Sequence, residues 1–317
     1  MKGIHRIEVS NRDAKFKFEL VRNITVVRGK SGTGKTTLFE MVADHTRLGK
    51  NSGVNISCDK KCYSLIDIDW QNQLGKIRDG IVFIDEGAEY IKTKEFAELI
   101  KQTDNYYVIF NRESLHELPY SVDEIYEIKT SGKYHSFKKM YTADKKHIYG
   151  KSVGTFDYSV FLTEDSGAGF RFYREFFQRN GVECVSSFSN GAIFKWLNTN
   201  KDKKVFVVAD GAAFGAEIDR VLKLQSASGF RLCLPESFEW LILRSGLIKR
   251  DDITAVLQNP ADYIESANYF SWERFFENYL KQSTVNTPFH YVKNELNPVY
   301  LIHANAEKII SEISDIE

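Results

Sequence analysis

The chain has no surplus of either charge: its 317 residues carry 43 Lys and Arg against 43 Asp and Glu. Such a balance gives no global attraction to nucleic acid or to an anionic membrane, so any basic contact surface has to be local. No apolar run approaches the roughly 20 residues that a membrane helix needs. The opening MKGIHRIEVSN also lacks the apolar stretch of a secretory signal. These absences predict a cytoplasmic protein without a membrane partner. Cysteine is sparse. Its four thiols, Cys58, Cys62, Cys184 and Cys233, are too few for a disulfide framework. Cys58 and Cys62 have no second Cys/His pair at ligand spacing, which favours ordinary reduced thiols over half of a metal site. Repeats and low-complexity tracts are missing as well. What is present is 43% hydrophobic and 27% charged residues, the composition of a folded globular protein long enough for two domains.

The most informative segment is Gly29-Lys30-Ser31-Gly32-Thr33-Gly34-Lys35-Thr36, which fits G-x-x-x-x-G-K-[ST] throughout. The β-branched run Asn23 to Val27 predicts a strand before it, and Thr36 to Ala43 predicts a helix after it. Glycines let the backbone curl so that N–H groups converge on phosphates, and the helix adds its positive end. Residues Gly29 through Thr37 are therefore the expected nucleotide cradle. Lys35 is expected on the β- and γ-phosphates and the Thr36 hydroxyl on Mg2+, with ATP as the nucleotide. A second apolar strand, Ile81 to Ile84, ends in Asp85 and Glu86. Asp85 is expected to hold the metal opposite Thr36. Glu86 is expected to polarise the attacking water, which favours hydrolysis over simple binding. A third strand, Tyr106 to Phe110, delivers Asn111 to the phosphate or the lytic water, and leaves Arg112 either to a phosphate or to Glu113.

Around this centre, Ile4 to Val9 and Lys15 to Leu20 alternate as half-buried strands do. Lys94 to Lys101 predicts a helix. Asp123 to Lys129 and Tyr134 to Tyr141 predict a hairpin about Ser131-Gly132. A linker at Tyr149 to Gly154 separates an expected domain 1–150 from a second at 155–317. The second half alternates strands (Ser159 to Leu162, Val182 to Val185, Val205 to Ala209, Arg231 to Leu234) with helices (Gly169 to Gln178, Ala192 to Leu197, Ala216 to Leu224, Phe238 to Leu243). Four βα units predict a small, doubly wound, mostly parallel α/β sheet, followed from Asp251 by a helical tail. Glu164, Asp165 and Asp210 close strands one and three, and so face a common crevice. In the tail, Tyr263, Tyr269 and Phe270 precede Trp272, Phe275, Phe276 and Tyr279. The last four follow the i, i+3, i+4, i+7 stripe of a helix packed on a core, which is favoured over base stacking.

Ile7-Glu-Val-Ser-Asn11, the run Asn23 to Gly29, the glycine loop and Ile84-Asp85-Glu86 together resemble ABC-type ATPases of the SMC/RecF/OLD group. The LSGGQ-like signature of that group is missing, since Gln71 to Lys76 occupies its region without matching. About 45 residues between Thr36 and Ile81 leave no room for the long helical insertion of the group. The resemblance therefore implies a compact, reduced P-loop ATPase. Residues 157 to 245 resemble a TOPRIM domain, which implies Glu164 and Asp210 as its catalytic and metal-binding acids. Glu236 and Glu239 would complete the metal set, and Lys293 would neutralise a phosphate. Ala212 stands where that family has its second Asp. An ATPase joined to a TOPRIM-like domain resembles OLD-type proteins of nucleic-acid processing and anti-phage defence. That likeness implies a nucleotide-controlled module acting on nucleic acid, with a protein partner or a second copy of the chain. Two other readings stay open: a nuclease-inactive, ATP-dependent regulatory or scaffolding module, and a small-molecule P-loop phosphotransferase.

Overall fold

The computed structural model describes residues 1–66, 68–141, 148–149, 158–179, 181–224 and 229–313, and the chain divides into two compact units. The expected linker lies outside the described residues apart from Tyr149.

The first unit is Met1–Tyr141 together with Asn259–Phe270. Its strands are β1 His5–Ser10, β2 Lys15–Leu20, β3 Ile24–Arg28, β4 Asn55–Ser57, β5 Lys61–Leu65, β6 Gly80–Ile84, β7 Tyr106–Phe110, β8 Ile125–Ser131 and β9 Tyr134–Lys139. Helices α1 Lys35–Leu48, α2 Trp70–Lys76 and α3 Lys94–Ile100 lie between them. All nine strands form one mixed sheet in the order β4-β1-β2-β9-β8-β3-β7-β6-β5. β3, β6 and β7 are buried along their whole length, as apolar parallel strands must be. β2 alternates buried and outward positions as its sequence predicts.

The two edges of this sheet, β4 and β5, are consecutive in the chain and only residues 58–60 separate them. Laid flat, nine strands at the usual spacing would hold those edges about 38 Å apart. A three-residue bridge spans at most about 14 Å. The sheet must therefore curl. Helix α1 lies in the curl: its buried Leu38, Met41 and Val42 share one core with Val9, Phe16 and Phe18 and with Phe83, Val108 and Phe110. Neither β4 nor β5 was evident from sequence: β4 is three residues long and mostly open to solvent, and β5 is short with no alternation and no apolar run. Asn259–Phe270 joins this unit through backbone bonds from Gly3 to Ala261 (2.7 Å) and from Ser266 to Met1 (2.9 Å). It does not stay with the expected second domain.

The second unit, Thr142–Gln258 with Ser271–Glu317, contains β10 Ile148–Tyr149, β11 Val160–Thr163, β12 Glu183–Ser186, β13 Val205–Val208 and β14 Phe230–Cys233. Helices α4 Ala168–Arg179, α5 Asn190–Thr199, α6 Ile218–Lys223 and α7 Phe238–Arg244 follow the strands, and α8 Ile253–Gln258, α9 Trp272–Thr284 and α10 His303–Ile310 form the tail. The sheet order is β10-β14-β13-β11-β12. β11 to β14 are parallel, and the unexpected β10 runs antiparallel on β14. On α9 the side chains of Trp272, Phe275, Phe276 and Tyr279 are all buried, so this stripe is core. The chain is thus a mixed α/β protein with parallel strands in both units. Among the described residues, no helix is long and apolar enough to cross a membrane.

Enclosure of α1 has a measurable cost. Leu38 is fully buried, so Leu38→Ala is expected to lose about 2–5 kcal/mol through transfer and cavity terms. Chemical denaturation measures it, and a loss under about 1 kcal/mol would mean that α1 packs on one wall only.

Candidate functional site

Parallel pairing puts the ends of three strands of the first unit side by side. Val27 of β3 lies opposite Phe110 of β7, and Ile109 of β7 opposite Ile84 of β6. β7, last of the three in sequence, is therefore inserted between the other two. The glycine loop, the Asp85-Glu86 pair and the Asn111-Arg112 pair all leave the sheet at this one edge.

The loop has the backbone that its glycines allow. Gly29, Gly32 and Gly34 have φ of +129°, +79° and +97°, values that L side chains rarely adopt. A Cβ on Gly34 would also stand 3.3 Å from the Phe16 ring and 3.5 Å from His135 Nδ1. β2 and β9 thus back the loop from behind. Helix α1 begins at Gly34 with no side-chain cap on its first-turn N–H groups, which leaves donors and the positive helix end for an anion. Lys35 is 5% exposed. Its Nζ donates to the carbonyls of Gly29 (2.6 Å) and Lys30 (3.1 Å) and stands 3.6 Å from Glu86 Oε2. Arg112 Nε lies 2.5 Å from Glu86 Oε1, and its Nη2 donates to Ser31 Oγ at 3.0 Å.

Arg112 therefore pairs with Glu86, while Glu113 pairs with Lys92 at 3.0 Å. Asn111 is buried. Its side-chain amide donates to the Glu113 carbonyl at 3.0 Å and its backbone N–H to the Val27 carbonyl at 3.2 Å, so it braces the loop that presents Arg112. Thr36 and Thr37 are exposed, Asp85 is half-buried, and the oxygens of Thr36 and Asp85 are of the hard type that suits magnesium.

A second cluster forms in the second unit, where β11 and β13 are neighbours with Thr163 opposite Val208. Glu164 and Asp210 come together there, and the Asp210 N–H donates to Glu164 Oε1 at 2.6 Å. Gly211 follows, with its N–H on the Pro235 carbonyl at 2.6 Å. A Cβ on Gly211 would stand 2.6 Å from the Leu234 carbonyl oxygen, so the loop after β13 presses directly on the end of β14. Ala212 is buried in that turn.

Of the two acids near α7, Glu239 is the one whose charge bears on Asp210 and Lys293. Ser237 caps α7 by accepting from the Trp240 N–H, which sets Glu239 in the first turn, where the helix favours negative charge. Glu239 is fully buried. Its Oε1 accepts from Tyr291 OH at 2.6 Å and from Lys293 Nζ at 3.0 Å, and its Oε2 has no hydrogen-bond partner. Lys293 Nζ is also 3.3 Å from Glu273 and 4.0 Å from Glu277, both on α9. Sequence offered no signal for Glu273, Glu277 or Tyr291, since the tail carries no motif and only packing brings it here.

Burial governs protonation of Glu164 and Asp210, with the neighbouring charges acting after it. Burial pushes the Glu164 carboxyl up to about 8, helped by Glu273 and Asp165 and opposed by the Asp210 N–H and Lys293. Burial, then Glu164 and Glu273, hold Asp210 well above the usual carboxylate range. For Lys293 burial works against the ammonium form, but Glu239, Asp210 and Glu273 outweigh it and keep that form well above neutrality. Among the described residues, no three His, Cys, Asp or Glu side chains converge as a metal-binding group, so Glu236 does not complete a set with Glu164 and Asp210. Here the Lys293 ammonium supplies the positive charge that Glu239 and Glu273 require. The residues present do not fit a resident two-metal centre.

No family model and no curated protein matches the chain, so the roles of these residues rest on their own chemistry and geometry.

A carboxyl with a folded pKa above its unfolded value holds its proton longer folded than unfolded, so stability falls as pH rises between the two values. For Glu164 that window runs from 4.5 to about 8. Glu164→Gln can still accept from Asp210 but carries no charge. It is expected to match the wild type in denaturant midpoint below pH 4.5 and to exceed it above pH 8. A midpoint difference independent of pH would show that Glu164 ionises freely in the folded chain.

Proposed function

We propose that the first unit is a P-loop ATPase that binds ATP with Mg2+ and hydrolyses it. The observation that supports this reading is the convergence of Lys35, Glu86 and Arg112 on a positive-φ glycine loop at the uncapped start of α1. Loop N–H groups and the helix end are donors suited to the bound phosphates. Lys35 already lies across the loop and needs only to exchange carbonyl acceptors for phosphate oxygens. Thr36 and Asp85 would hold the magnesium, which when bound neutralises charge on the phosphates. Glu86 takes the proton of the attacking water as general base, and Asn111 keeps the Arg112 loop in place.

For the second unit we propose a TOPRIM-like module that acts on nucleic acid under the control of the nucleotide state of the first. Its support is the strand order β12-β11-β13-β14 with Glu164 and Asp210 on adjoining strand ends. A second reading, a module that binds without cutting, is favoured by two specific observations. Ala212 stands where the TOPRIM pattern would have its second Asp, and Lys293 pairs with Glu239 and Glu273.

ATP hydrolysis by wild type, Lys35→Ala and Glu86→Gln tests the first proposal. Lys35→Ala is expected to lose nucleotide binding. Glu86→Gln is expected to keep binding while turnover falls by about 10² or more, the scale of a lost general base. Equal turnover in all three proteins would contradict the assignment. Nicking assays with Mg2+ or Mn2+ separate the two readings of the second unit. Cleavage abolished by Asp210→Ala supports a nuclease, and nucleic-acid binding without cleavage in the wild type supports the binding module. Cleavage that persists in Asp210→Ala would remove these acids from the chemistry.

A further inference from the structure

We propose that Arg112 is a phosphate-operated latch on Glu86: it clasps the carboxylate to the glycine loop, and releases it when a terminal phosphate takes its place. This inference rests on the ATPase reading and adds regulation of that same site. Both oxygens of Glu86 are engaged by cations, Oε1 by Arg112 at 2.5 Å and Oε2 by Lys35 at 3.6 Å. In that arrangement the Arg112 N–H holds one carboxylate oxygen and the Lys35 ammonium stands over the other, so the group is oriented on the loop and not on a water. The other arm of Arg112 rests on Ser31 Oγ at 3.0 Å, inside the loop that would surround the phosphates. One guanidinium thus spans the base and the cradle.

The latch is weak enough to open. Arg112 is 52% exposed and Glu86 31% exposed, and an ion pair so open to water contributes little. A terminal phosphate is a stronger competitor, because it is more highly charged and offers the oxygen pair that a guanidinium fork matches. It also draws Lys35, the other cation on Glu86. Exchange of both cations onto the phosphate leaves Glu86 free to face water. A diphosphate has no terminal group at that place, so the clasp re-forms once the phosphate departs. Asn111 makes this a side-chain motion, since its bonds to Glu113 and Val27 fix the backbone on which Arg112 swings.

The test measures binding of a fluorescent non-hydrolysable ATP analogue and of fluorescent ADP, together with turnover. The proteins are wild type, Arg112→Gln, Arg112→Lys, Glu86→Gln and the double variant Arg112→Gln/Glu86→Gln, with Lys35→Ala as reference. Removing the competing carboxylate in Glu86→Gln should tighten the ATP analogue roughly three- to five-fold, the scale of a half-exposed pair. In the Arg112→Gln background the same change should tighten it by less than about two-fold, because the clasp is already gone. Arg112→Gln should weaken the ATP analogue while leaving ADP unchanged, which narrows the preference for triphosphate, and Arg112→Lys should restore part of it. Equal effects of Glu86→Gln with and without Arg112, or an unaltered triphosphate preference in Arg112→Gln, would overturn the latch alone. If neither wild type nor Lys35→Ala binds either nucleotide, the ATPase reading itself falls, and the latch with it.

Discussion

Residues 58–60 have to join the two edges of a nine-stranded sheet, and that short tether forces the curl on which the first unit depends. Because the sheet curls, α1 is enclosed by apolar residues from its antiparallel and its parallel strands at once. The start of α1 is then fixed from two sides. β3 delivers the chain into the glycine loop, while Phe16 of β2 and His135 of β9 stack on each other, with ring centroids 4.3 Å apart, behind Gly34. In a flat sheet the same residues would leave the loop without that backing. The backing of the loop is thus a property of the whole unit, carried to it by packing.

Parallel pairing does the rest of the positioning. Strands in parallel register end on the same side, so chemistry borne by residues after a strand is concentrated at one sheet edge. This occurs twice. In the first unit the edge gathers Lys35, Glu86 and Arg112. In the second it gathers Glu164 and Asp210, α7 adds Glu239, and the tail adds Glu273, Glu277 and Lys293. At the glycine loop Lys35 and Arg112 both pair with Glu86. In the second unit the carboxylates outnumber their single neighbouring lysine, and burial of the surplus charge raises the pKa of Glu164 and Asp210.

Much of this was legible in the residues. The loop pattern, the apolar strands ending in Asp85-Glu86 and in Asn111-Arg112, and the βα rhythm of the second half are local signals. Each element stands within a few residues of where its periodicity puts it. What was not legible has a physical cause in each case. β4 is short and open to solvent, and β5 is short and mixes polar with apolar residues, so neither alternation nor an apolar run marks them. Asn259–Phe270 belongs to the first unit through backbone bonds to Met1 and Gly3, and such bonds carry no side-chain signature. The choice of Glu86 over Glu113 as the partner of Arg112 depends on Lys92 claiming Glu113, a contest decided only in three dimensions.

The sequence by itself determined the elements and the donor and acceptor groups at their ends, because backbone propensity, periodicity and the glycine pattern act over a few residues. Tertiary structure alone decided which of those groups meet. It inserted β7 between β3 and β6, so that Arg112 reached Glu86. It also brought α9 and the segment bearing Tyr291 and Lys293 onto the strand ends of the second unit, so that a lysine stands among its acids. Those meetings follow from burial and from pairing between distant segments, which no local stretch of chain encodes.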